Sequence, residues 1–378
     1  MIEDLNLLYK AFKDSKKNSN WKPEVQKFEM NWLTELALLQ KDLSDKTYKT
    51  SNNTEFIINE RGKTRKITSN KMRDRVVRHV FCDNVLYPNI EKYLIYDNGA
   101  SRKGKGISFT RNRLLKHLRN YYHHFGNDGY ILLMDFSKYY DNIRHDIIKN
   151  QFKDKIDEKY LWLFDLILKD FEVDVSYMTD DEFLNCLNTK FNSLDHPICH
   201  KGEKYMTKSV NIGDQCSQIF GISYTTPIDN FIKIVKGIKY YGRYMDDSYI
   251  ISSDKNFLIS LLKEIKEQTD KLGIFINNRK TQIYKLSTGF RFLQNRYILT
   301  NTGKVIVKIN PKRITAMRRK LKNLTTKIIS KELPKTVITD LFKSWFCNYY
   351  KIMSKQQKQN LLNLYANLVK TIEDSSIY

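Results

Sequence analysis

The chain has 378 residues, 41% of them hydrophobic, with only 14 Gly and 6 Pro; this composition excludes a disordered or linker-dominated protein and allows two or three subdomains with sizeable cores. Lys and Arg number 65 against 42 Asp and Glu, a net charge of +23 that predicts a polyanionic partner, with nucleic acid favoured over an anionic membrane surface. No apolar run approaches the roughly 18 residues of a membrane span, and the acidic start, Met1 to Asp4, is unlike a signal sequence.

The cysteines are scattered and include no CxxC pair. That spacing argues against a disulfide framework and against a zinc site. We therefore expect ordinary, buried thiols of a cytosolic protein. The residues concerned are Cys82, Cys186, Cys199, Cys216 and Cys347.

The N-terminal region is predicted to be helical and to serve as a packing layer. Apolar residues recur there at the spacing of one helical face, in two successive stripes. The first stripe is Leu5, Leu8, Tyr9 and Phe12, and the second is Phe28, Trp32, Leu36, Leu39 and Leu43.

A strand over Phe56–Ile58 and a turn over Glu60–Lys63 are predicted next. Basic residues follow densely and alternate with Val76, Val77, Val80 and Phe81, which indicates a helix with one buried face and one charged face. The basic, glycine-containing segment from Asn98 to Gly106 is a flexible turn by composition. It is not a Walker phosphate loop, because no Lys-Ser/Thr pair follows its glycines at the required offset.

A short apolar run, Tyr130 to Met134, ends abruptly at Asp135. A run that is apolar on both faces predicts a central strand covered on both sides. A carboxylate at its end would lie at the edge of the core, where a charge is costly unless it is paired or binds a cation. Alone, such an aspartate is more often a turn or helix cap.

Residues Tyr240 to Ser252 predict a β-hairpin with Asp246 and Asp247 at its tip, because aromatic and branched residues flank the two acids. Adjacent carboxylates repel one another, and a divalent cation such as Mg²⁺ removes that penalty. An Asp-Asp turn alone is usually a solvent-exposed pair without a functional role. Two strand-end acid sites in a strongly basic chain are much less often accidental, and two metal ions held by shared carboxylates can support phosphoryl transfer.

The segment from Lys153 to Lys208 is polar, and its Asp180-Asp181 pair is interpreted as solvated surface. Phe257–Leu272 predicts an amphipathic helix with Gly273 as its C-terminal cap. From Pro311 onward the pattern is helical again, and two further apolar helices are predicted around Trp345 and Leu364.

The hairpin sequence Tyr244-Met245-Asp246-Asp247 and the segment DFSKYYDNI, Asp135 to Ile143, resemble two signature motifs of the reverse transcriptase family. The resemblance covers roughly Phe56 to Leu299, with five motifs in the family's order. It implies that Asp135 and Asp246 ligate two Mg²⁺ ions, with Mn²⁺ as a substitute and with Asp247 assisting. It also implies an α+β fold, a right-hand polymerase with an antiparallel palm sheet, fingers and a C-terminal helical thumb. The implied parts are an N-terminal helical segment (1–50), fingers (51–130), palm (131–300, with 153–208 as an insertion) and thumb (301–378).

Further residues take roles from the same resemblance. Tyr140 occupies the position of an aromatic steric gate that excludes a 2′-hydroxyl, so that deoxynucleotides are the implied substrates. Lys280 matches a lysine proposed to protonate the leaving pyrophosphate. The implied triphosphate and nucleotide contacts are Arg61, Lys63, Arg65, Gly213 and Gln218, and the implied primer grip is Phe292 and Leu293, within the segment FLQNRYIL.

The segment Ile212 to Gln218 departs from the family's common pattern, with Ile212 in place of Gln and Gln218 in place of Pro. This variant motif is similar to that of the enzymes of diversity-generating retroelements, in which the Gln replacement in the motif is associated with relaxed fidelity. Related bacterial and phage lineages share the variant motif. The first hypothesis is therefore a polymerase that copies a dedicated, structured noncoding RNA in the cytoplasm of a bacterial or phage-infected cell. Its expected partners are that RNA, a DNA or RNA primer, deoxynucleotides and an accessory protein, but no membrane.

Two alternatives remain open: an antiphage defence reverse transcriptase that makes defence DNA, and a nucleic-acid-binding protein built on an inactive palm. About 80 residues follow the primer-grip segment, which suffices for a helical thumb whose basic face tracks nucleic acid. We expect no room for an RNase H, integrase or endonuclease domain of usual size.

Overall fold

The structure is a computed structural model that describes residues 1–60, 62–197, 199 and 201–375. The chain divides into two compact units. The first unit is Met1–Arg113, Leu132–Ile250 and Asp254–Gln282, and the second is Leu114–Ile131, Ile251–Ser253 and Ile283–Tyr378. The boundaries predicted for the fingers, palm and thumb stay a prediction.

Helices and antiparallel strands alternate along the chain, which confirms the predicted α+β class. The helices are α1 (Leu5–Lys16), α2 (Pro23–Met30), α3 (Trp32–Ser44), α4 (Met72–Phe81), α5 (Tyr87–Glu91), α6 (Ile107–Phe125), α7 (His145–Phe152), α8 (Leu161–Lys169), α9 (Asp180–Asn188), α10 (Gln215–Ser223), α11 (Thr226–Asn230), α12 (Lys255–Lys271), α13 (Pro311–Ile329), α14 (Thr336–Tyr349) and α15 (Lys355–Asp374). Single π-helical turns continue α4 over Cys82–Leu86 and α11 over Phe231–Val235.

The strands are short. They are β1 (Thr54–Glu60), β2 (Lys63–Ser69), β3 (Tyr130–Met134), β4 (Phe136–Ser137), β5 (Val173–Asp174), β6 (Tyr205–Met206), β7 (Tyr241–Tyr244), β8 (Asp247–Ser252), β9 (Phe275–Ile276), β10 (Gln282–Lys285), β11 (Phe290–Phe292), β12 (Asn295–Leu299) and β13 (Val305–Ile309). The largest sheet has the order β10-β3-β8-β7, and β11-β12-β13 form a three-stranded meander. The predicted strand Tyr130–Met134 and the predicted hairpin are both confirmed.

The N-terminal helices are confirmed, but the second apolar stripe does not lie on one helix. It is divided between α2 and α3, because Asn31 leaves the helical conformation at φ −115° and ψ 19°. Leu36, Leu39 and Leu43 are buried on α3, whereas Leu5 at the start of α1 is exposed. A stripe at helical spacing cannot reveal a one-residue break that leaves the apolar faces in register.

Helix α4 has the predicted buried apolar face, but two of its charged residues are buried as well. Asp74 and Arg78 are each 1% exposed. Asp74 accepts hydrogen bonds from the Tyr48 hydroxyl at 2.5 Å and from the Ser51 backbone N–H at 3.1 Å. Burial of these charges is possible because each one meets a partner.

The polar segment 153–208 folds around a small apolar cluster, which consists of Val175, Met178, Phe191 and Met206. Lys208 is fully buried, and its Nζ donates to the carbonyls of Leu187 and Thr189 at the C-terminal end of α9. A cation is favourable there, because the last carbonyls of a helix lack partners within it. Asp180 and Asp181 are exposed in the first turn of α9, as predicted. That the segment is an insertion stays a prediction.

His145, the first residue of α7, is 3% exposed, and its Nε2 lies 2.6 Å from the carbonyl oxygen of Ser209. Burial disfavours the charged imidazolium and lowers the pKa of His145 to about 4. The unfolded chain binds this proton near pH 6.5, so protons bind preferentially to the unfolded chain between these two values. The His145 contribution to stability is therefore present above about pH 6.5 and is lost as the pH falls towards 4.

We expect the free energy of unfolding to fall by up to about 3 kcal/mol from this residue between pH 6.5 and 4. Urea unfolding across that range, in wild type and in His145→Gln, measures the effect, because glutamine does not titrate. The variant should show the smaller loss on acidification. Parallel curves for the two proteins would contradict the assignment.

The second unit contains the β11-β12-β13 meander and the three C-terminal helices α13, α14 and α15. Ile314, Met317, Leu321, Phe342 and Leu361 are buried in one apolar cluster. The helical pattern predicted from Pro311 onward is thereby confirmed.

Helix α12, which belongs to the first unit, is confirmed as well. Gly273, the predicted cap, follows its C-terminal end with a φ of 64°.

The described cysteines differ in environment. Cys82 and Cys216 are buried with their Sγ atoms 3.3 Å apart, whereas Cys347 is exposed. The expectation that all five thiols are buried is therefore confirmed for Cys82 and Cys216 and wrong for Cys347, which lies on α14, while Cys186 and Cys199 are half-buried. In the described ranges no helix combines the length and apolarity that a membrane span requires.

Candidate active site

Strands β7 and β8 form a hairpin whose connection has two residues. Tyr244 is paired with Asp247, so that Met245 and Asp246 make the turn. Met245 has a φ of 55°, the sign that the first turn residue of such a tight hairpin requires. A side chain in this conformation costs of order 1–3 kcal/mol, which is typical of functional sites. Asp246 thus lies at the tip as predicted, whereas Asp247 is the first residue of β8.

Asp135 follows β3 and is 6% exposed. Both oxygens of its carboxylate lie 2.8 Å from Nζ of Lys280, and Oδ2 also accepts a hydrogen bond from Asn277 Nδ2 at 2.9 Å. The Asn277 backbone N–H donates to the Asp135 carbonyl at 2.8 Å. The loop after β9 therefore wraps around Asp135. The motif match predicted Lys280 as a site residue, whereas no pattern in the sequence indicated a role for Asn277.

The three aspartates influence one another electrostatically. Burial, reinforced by the charge of Asp135, raises the pKa of Asp246. Burial and the charges of Asp246 and Asp135 raise the pKa of Asp247 to about 7. Lys280 and Lys63 act in the opposite direction on both acids. The site is therefore short of positive charge, a deficit that a divalent cation would remove.

The donor set suits a hard cation such as Mg²⁺, since all three side chains offer carboxylate oxygens. Within the described part of the chain, however, no three Asp, Glu, His or Cys side chains are gathered in the geometry of a metal site. Asp135 is paired with Lys280 instead. An ion bound through both oxygens of Asp135 would displace that amine, and the three-carboxylate metal site stays a prediction.

A cleft of about 880 Å³ lies beside the turn. The structure brings together here most of the residues that the sequence analysis singled out for nucleotide binding and catalysis. Those that line the cleft are Lys63, Arg65, Tyr140, Gly213, Gln218, Asp246 and Lys280. Arg61 falls outside the described residues. Arg65 also forms an ion pair of 3.0 Å with Glu60.

Gly213 occupies a position that no other residue fits without strain. Its φ is 114°, and a Cβ atom there would lie 3.1 Å from the carbonyl oxygen of Thr68. The Thr68 N–H donates to the Ile212 carbonyl at 3.3 Å. On the other side, Asp214 caps α10 by accepting from the Cys216 N–H at 2.7 Å. The loop is thereby fixed between β2 and α10.

Tyr140 lies between the hairpin turn and α10. Its hydroxyl is 3.7 Å from Sδ of Met245. A Cβ atom on Gly221 of α10 would lie 3.1 Å from the same hydroxyl. The ring therefore has little room to move on these two sides, as the predicted steric gate against a 2′-hydroxyl would require.

Gln218 connects two segments that are far apart in sequence. Its Oε1 accepts a hydrogen bond from Ser101 Oγ at 3.1 Å. Ser101 belongs to the basic, glycine-containing segment and has a φ of 46°. The variant motif from Ile212 to Gln218 is thus in direct contact with the basic segment from Asn98 to Gly106.

Phe292 and Leu293 lie in the second unit, at the turn between β11 and β12. Phe292 is paired with Asn295, and the two turn residues, Leu293 and Gln294, have φ values of 41° and 76°. Two positive φ angles are typical of the tight turn that joins twisted strands. The structure thus has a hairpin at this segment, and its role as a primer grip stays a prediction.

Sequence reasoning missed Arg243, which is 1% exposed. Its guanidinium contacts both carboxylate oxygens of the fully buried Asp229 at 2.6–3.1 Å. Its Nη1 also donates to the Met245 carbonyl at 3.0 Å. Arg243 thus holds the turn that carries Asp246. The available signal was an arginine within an otherwise uncharged strand, three residues before Asp246.

Arg78 is the second missed residue. It contacts Asp170 at 2.5 Å and Asp214 at 3.3 Å. Because Asp214 also caps α10, the α4 helix is tied to the loop that carries Gly213. Both missed arginines position the site from behind the cleft.

The sequence model for reverse transcriptases (RNA-dependent DNA polymerases) matches residues 49–297, more than half of the chain. The chain belongs to the reverse transcriptase family. The members of that family are RNA-directed DNA polymerases, a class of nucleotidyltransferases. The predicted extent of the resemblance, Phe56 to Leu299, is close to the matched range.

This reverse transcriptase also resembles solved structures. One is telomerase from Candida albicans in complex with a TWJ fragment of telomeric RNA, with 12% sequence identity and a TM-score of 0.45. The alignment covers 86% of this reverse transcriptase and 59% of the telomerase chain, so that the protein spans less than two thirds of that relative. No curated protein sequence matches this reverse transcriptase.

Proposed function

We propose that this protein synthesises DNA on an RNA template by two-metal phosphoryl transfer. The observation that carries the proposal is the convergence on one cleft of Asp246, the cations Lys63 and Arg65, and the ring of Tyr140. The negative charge of Asp135 acts on Asp246, and the charges of Asp246 and Asp135 both act on Asp247. An inactive palm would have no need to keep three mutually repelling carboxylates, one buried and two half-buried.

In this mechanism, Asp135, Asp246 and Asp247 would hold two Mg²⁺ ions, or Mn²⁺ in their place, which supply the positive charge for phosphoryl transfer. Lys63 and Arg65 bind the triphosphate of the incoming nucleotide, because fixed cationic donors suit phosphate oxygens. Lys280 carries a proton that it can give to the leaving pyrophosphate. Phe292 and Leu293 hold the primer end.

Tyr140 would select deoxynucleotides, because its ring is confined by Met245 and Gly221. In Tyr140→Ala, we expect the preference for deoxynucleotides over ribonucleotides to fall by about 10²-fold, the discrimination that a shaped pocket exerts against one added hydroxyl. Single-nucleotide incorporation kinetics measure it as a ratio of kcat/KM values. Tyr140→Phe keeps the ring and should keep the preference. Equal losses in both variants would assign the effect to the hydroxyl instead.

We further propose that the protein works in a diversity-generating-like system, on a dedicated structured RNA in a bacterial or phage-infected cell. The support is the Ile212 and Gln218 variant, together with the contact of Gln218 with Ser101. Both variant residues also line the cleft, where they could affect how template and nucleotide are held. An accessory protein is a further candidate partner.

Sequencing the RNA and DNA that copurify with the protein tests both proposals. We expect wild type, but not Asp246→Ala/Asp247→Ala, to carry DNA complementary to one predominant RNA. Mismatches should exceed those of Ile212→Gln on the same template. Accurate copies in both proteins would contradict relaxed fidelity. Repetitive DNA without a variable-gene template would indicate the antiphage defence role, and identical nucleic acids with and without the acids would indicate an inactive palm.

A further inference from the structure

The first four residues of the basic segment, Asn98 to Ser101, lie against one face of α10. Asn98 is fully buried, and its Nδ2 donates to the carbonyl of Ile222 at 3.2 Å. One helical turn earlier, Gln218 accepts the hydrogen bond from Ser101 at 3.1 Å. Because residues four apart lie on the same face of a helix, the segment is bonded to α10 at two points of a single face.

The backbone around Gly99 is also bonded to β7, the strand that leads to the turn that carries Asp246. The Gly99 N–H donates to the carbonyl of Arg243 at 3.0 Å, and the Arg243 N–H donates to the carbonyl of Asp97 at 3.1 Å. Gly99 also packs tightly against Thr110, since a Cβ atom at Gly99 would lie 2.0 Å from the Thr110 Oγ1. The segment is therefore fixed between β7 and α10.

Ser101 has a backbone conformation that is unfavourable for a residue with a side chain. Its φ of 46° lies in the left-handed region, where glycine and asparagine are favoured. Such strain persists only where the surrounding structure imposes it, and it is common at functional sites. The side chain that is present despite this strain donates its hydroxyl to Gln218, and both residues line the cleft.

Gln218 has one end of its carboxamide free for a ligand. Its Oε1 is held by Ser101, whereas its Nε2 has no hydrogen-bond partner within the part of the chain that the structure describes. The side chain is exposed in the same cleft as Tyr140 and Asp246. A glutamine has several rotatable bonds, and ordering them when a ligand binds costs free energy. The bond from Ser101 restricts the side chain before any ligand binds.

We propose that Ser101 is a positioning residue, which holds Gln218 so that its free amide end contacts the incoming deoxynucleotide. The nucleotide is the ligand that the cleft fits, because Lys63 and Arg65 line it as well and supply cations for a triphosphate. The inference rests on the proposed function and deepens it. It assigns to the backbone between β7 and α10 the task of keeping Gln218 at a constant distance from the turn that carries Asp246.

The test is a cycle of Ser101→Ala, Gln218→Ala and the double variant, in single-nucleotide incorporation on an RNA template with Mg²⁺. We expect Ser101→Ala to raise the KM for the correct deoxynucleotide by about 3- to 10-fold, which corresponds to ordering one flexible side chain on binding. The loss should fall on KM rather than on kcat, because the contact is made equally in the bound complex and in the transition state. In the Gln218→Ala background the substitution should have no additional effect, since Ser101 acts through Gln218.

Ser108→Ala is the matched control, because it makes the same chemical change at an exposed position in the first turn of α6. It should leave KM and kcat at their wild-type values. An unchanged KM in Ser101→Ala would overturn the proposal, and so would the same rise in KM with and without Gln218. A fall in kcat at constant KM would also overturn it and would assign Ser101 to the turn that carries Asp246.

Ser101→Gly separates positioning from stability. Glycine removes the hydroxyl and adopts a φ of 46° without strain, so that the unfolding midpoint should not fall while KM rises as in Ser101→Ala. A lower midpoint together with an unchanged KM would show that Ser101 supports the fold alone, and it would overturn the proposal.

Binding of a fluorescent deoxynucleoside triphosphate with Mg²⁺, measured without DNA synthesis, distinguishes this inference from the proposed function. Weaker binding by Ser101→Ala than by wild type, in a protein that makes no DNA, would refute the proposed function and leave the inference standing. Equal binding by the two proteins, combined with DNA synthesis at equal KM, would overturn the inference and leave the function standing. A wild type that neither binds the nucleotide nor makes DNA would overturn both.

Discussion

Replacing Asp246 by asparagine is expected to lower the rate of DNA synthesis at least about 10³-fold. Loss of a single electrostatic stabiliser already costs about 10²–10³, and Asp246 is proposed to hold the ions that supply most of the charge. Primer extension on an RNA template with saturating Mg²⁺ measures the effect. The control is Asp181→Asn, which makes the same chemical change at an exposed position on α9 and should leave the rate within a factor of two or so of wild type.

Stability measurements separate this loss from unfolding. Burial raises the pKa of Asp246, which means that its ionised form is unfavourable in the metal-free fold. Asparagine removes the ionisable group, so that the unfolding midpoint without metal should be unchanged or higher. Addition of Mg²⁺ should raise the midpoint of wild type, because a ligand of the folded state stabilises it, and should raise that of the variant less. Full polymerase activity in Asp246→Asn would refute the metal assignment.

Replacing Arg243 by methionine is expected to destabilise the fold by about 3–5 kcal/mol, because it leaves the carboxylate of Asp229 buried without its partner. The second substitution in Arg243→Met/Asp229→Asn removes that stranded charge and keeps an oxygen for the hydroxyl of Tyr241, which now contacts Asp229 at 2.5 Å. Urea unfolding should therefore show that the double variant recovers at least half of the loss.

Polymerase activity should respond differently from stability. The Met245 carbonyl loses its donor in both variants, so that the turn that carries Asp246 is less well fixed in each. We expect DNA synthesis by the double variant to stay low while its stability recovers. Recovery of activity in parallel with stability would mean that Arg243 acts on the fold alone and does not position the turn.

The features that the sequence predicted correctly depend on short-range patterns. The apolar run Tyr130–Met134, the hairpin around Asp246 and the helix from Pro311 are each defined by residues that are neighbours in the chain, and the structure has all three. The placement of seven predicted site residues around one cleft also follows from motif order, because each motif has its own place in the family's fold.

The features that escaped prediction depend on partners that a local pattern does not contain. Arg78 has the sequence context of a solvated residue, and it is buried because Asp170, 92 residues later, meets it. Asn277 contacts Asp135 across 142 residues. The break at Asn31 and the exposure of Cys347 likewise depend on what packs nearby. Burial of polar groups is decided by tertiary pairing, which composition and periodicity do not report.

The pairing of Lys280 with Asp135 has a consequence for the order of events. An ion held by both oxygens of Asp135 would displace the amine, so that loading of the site and release of Lys280 would be linked. Under the proposed function, Lys280 would then be free to donate its proton to the leaving pyrophosphate only in a loaded site.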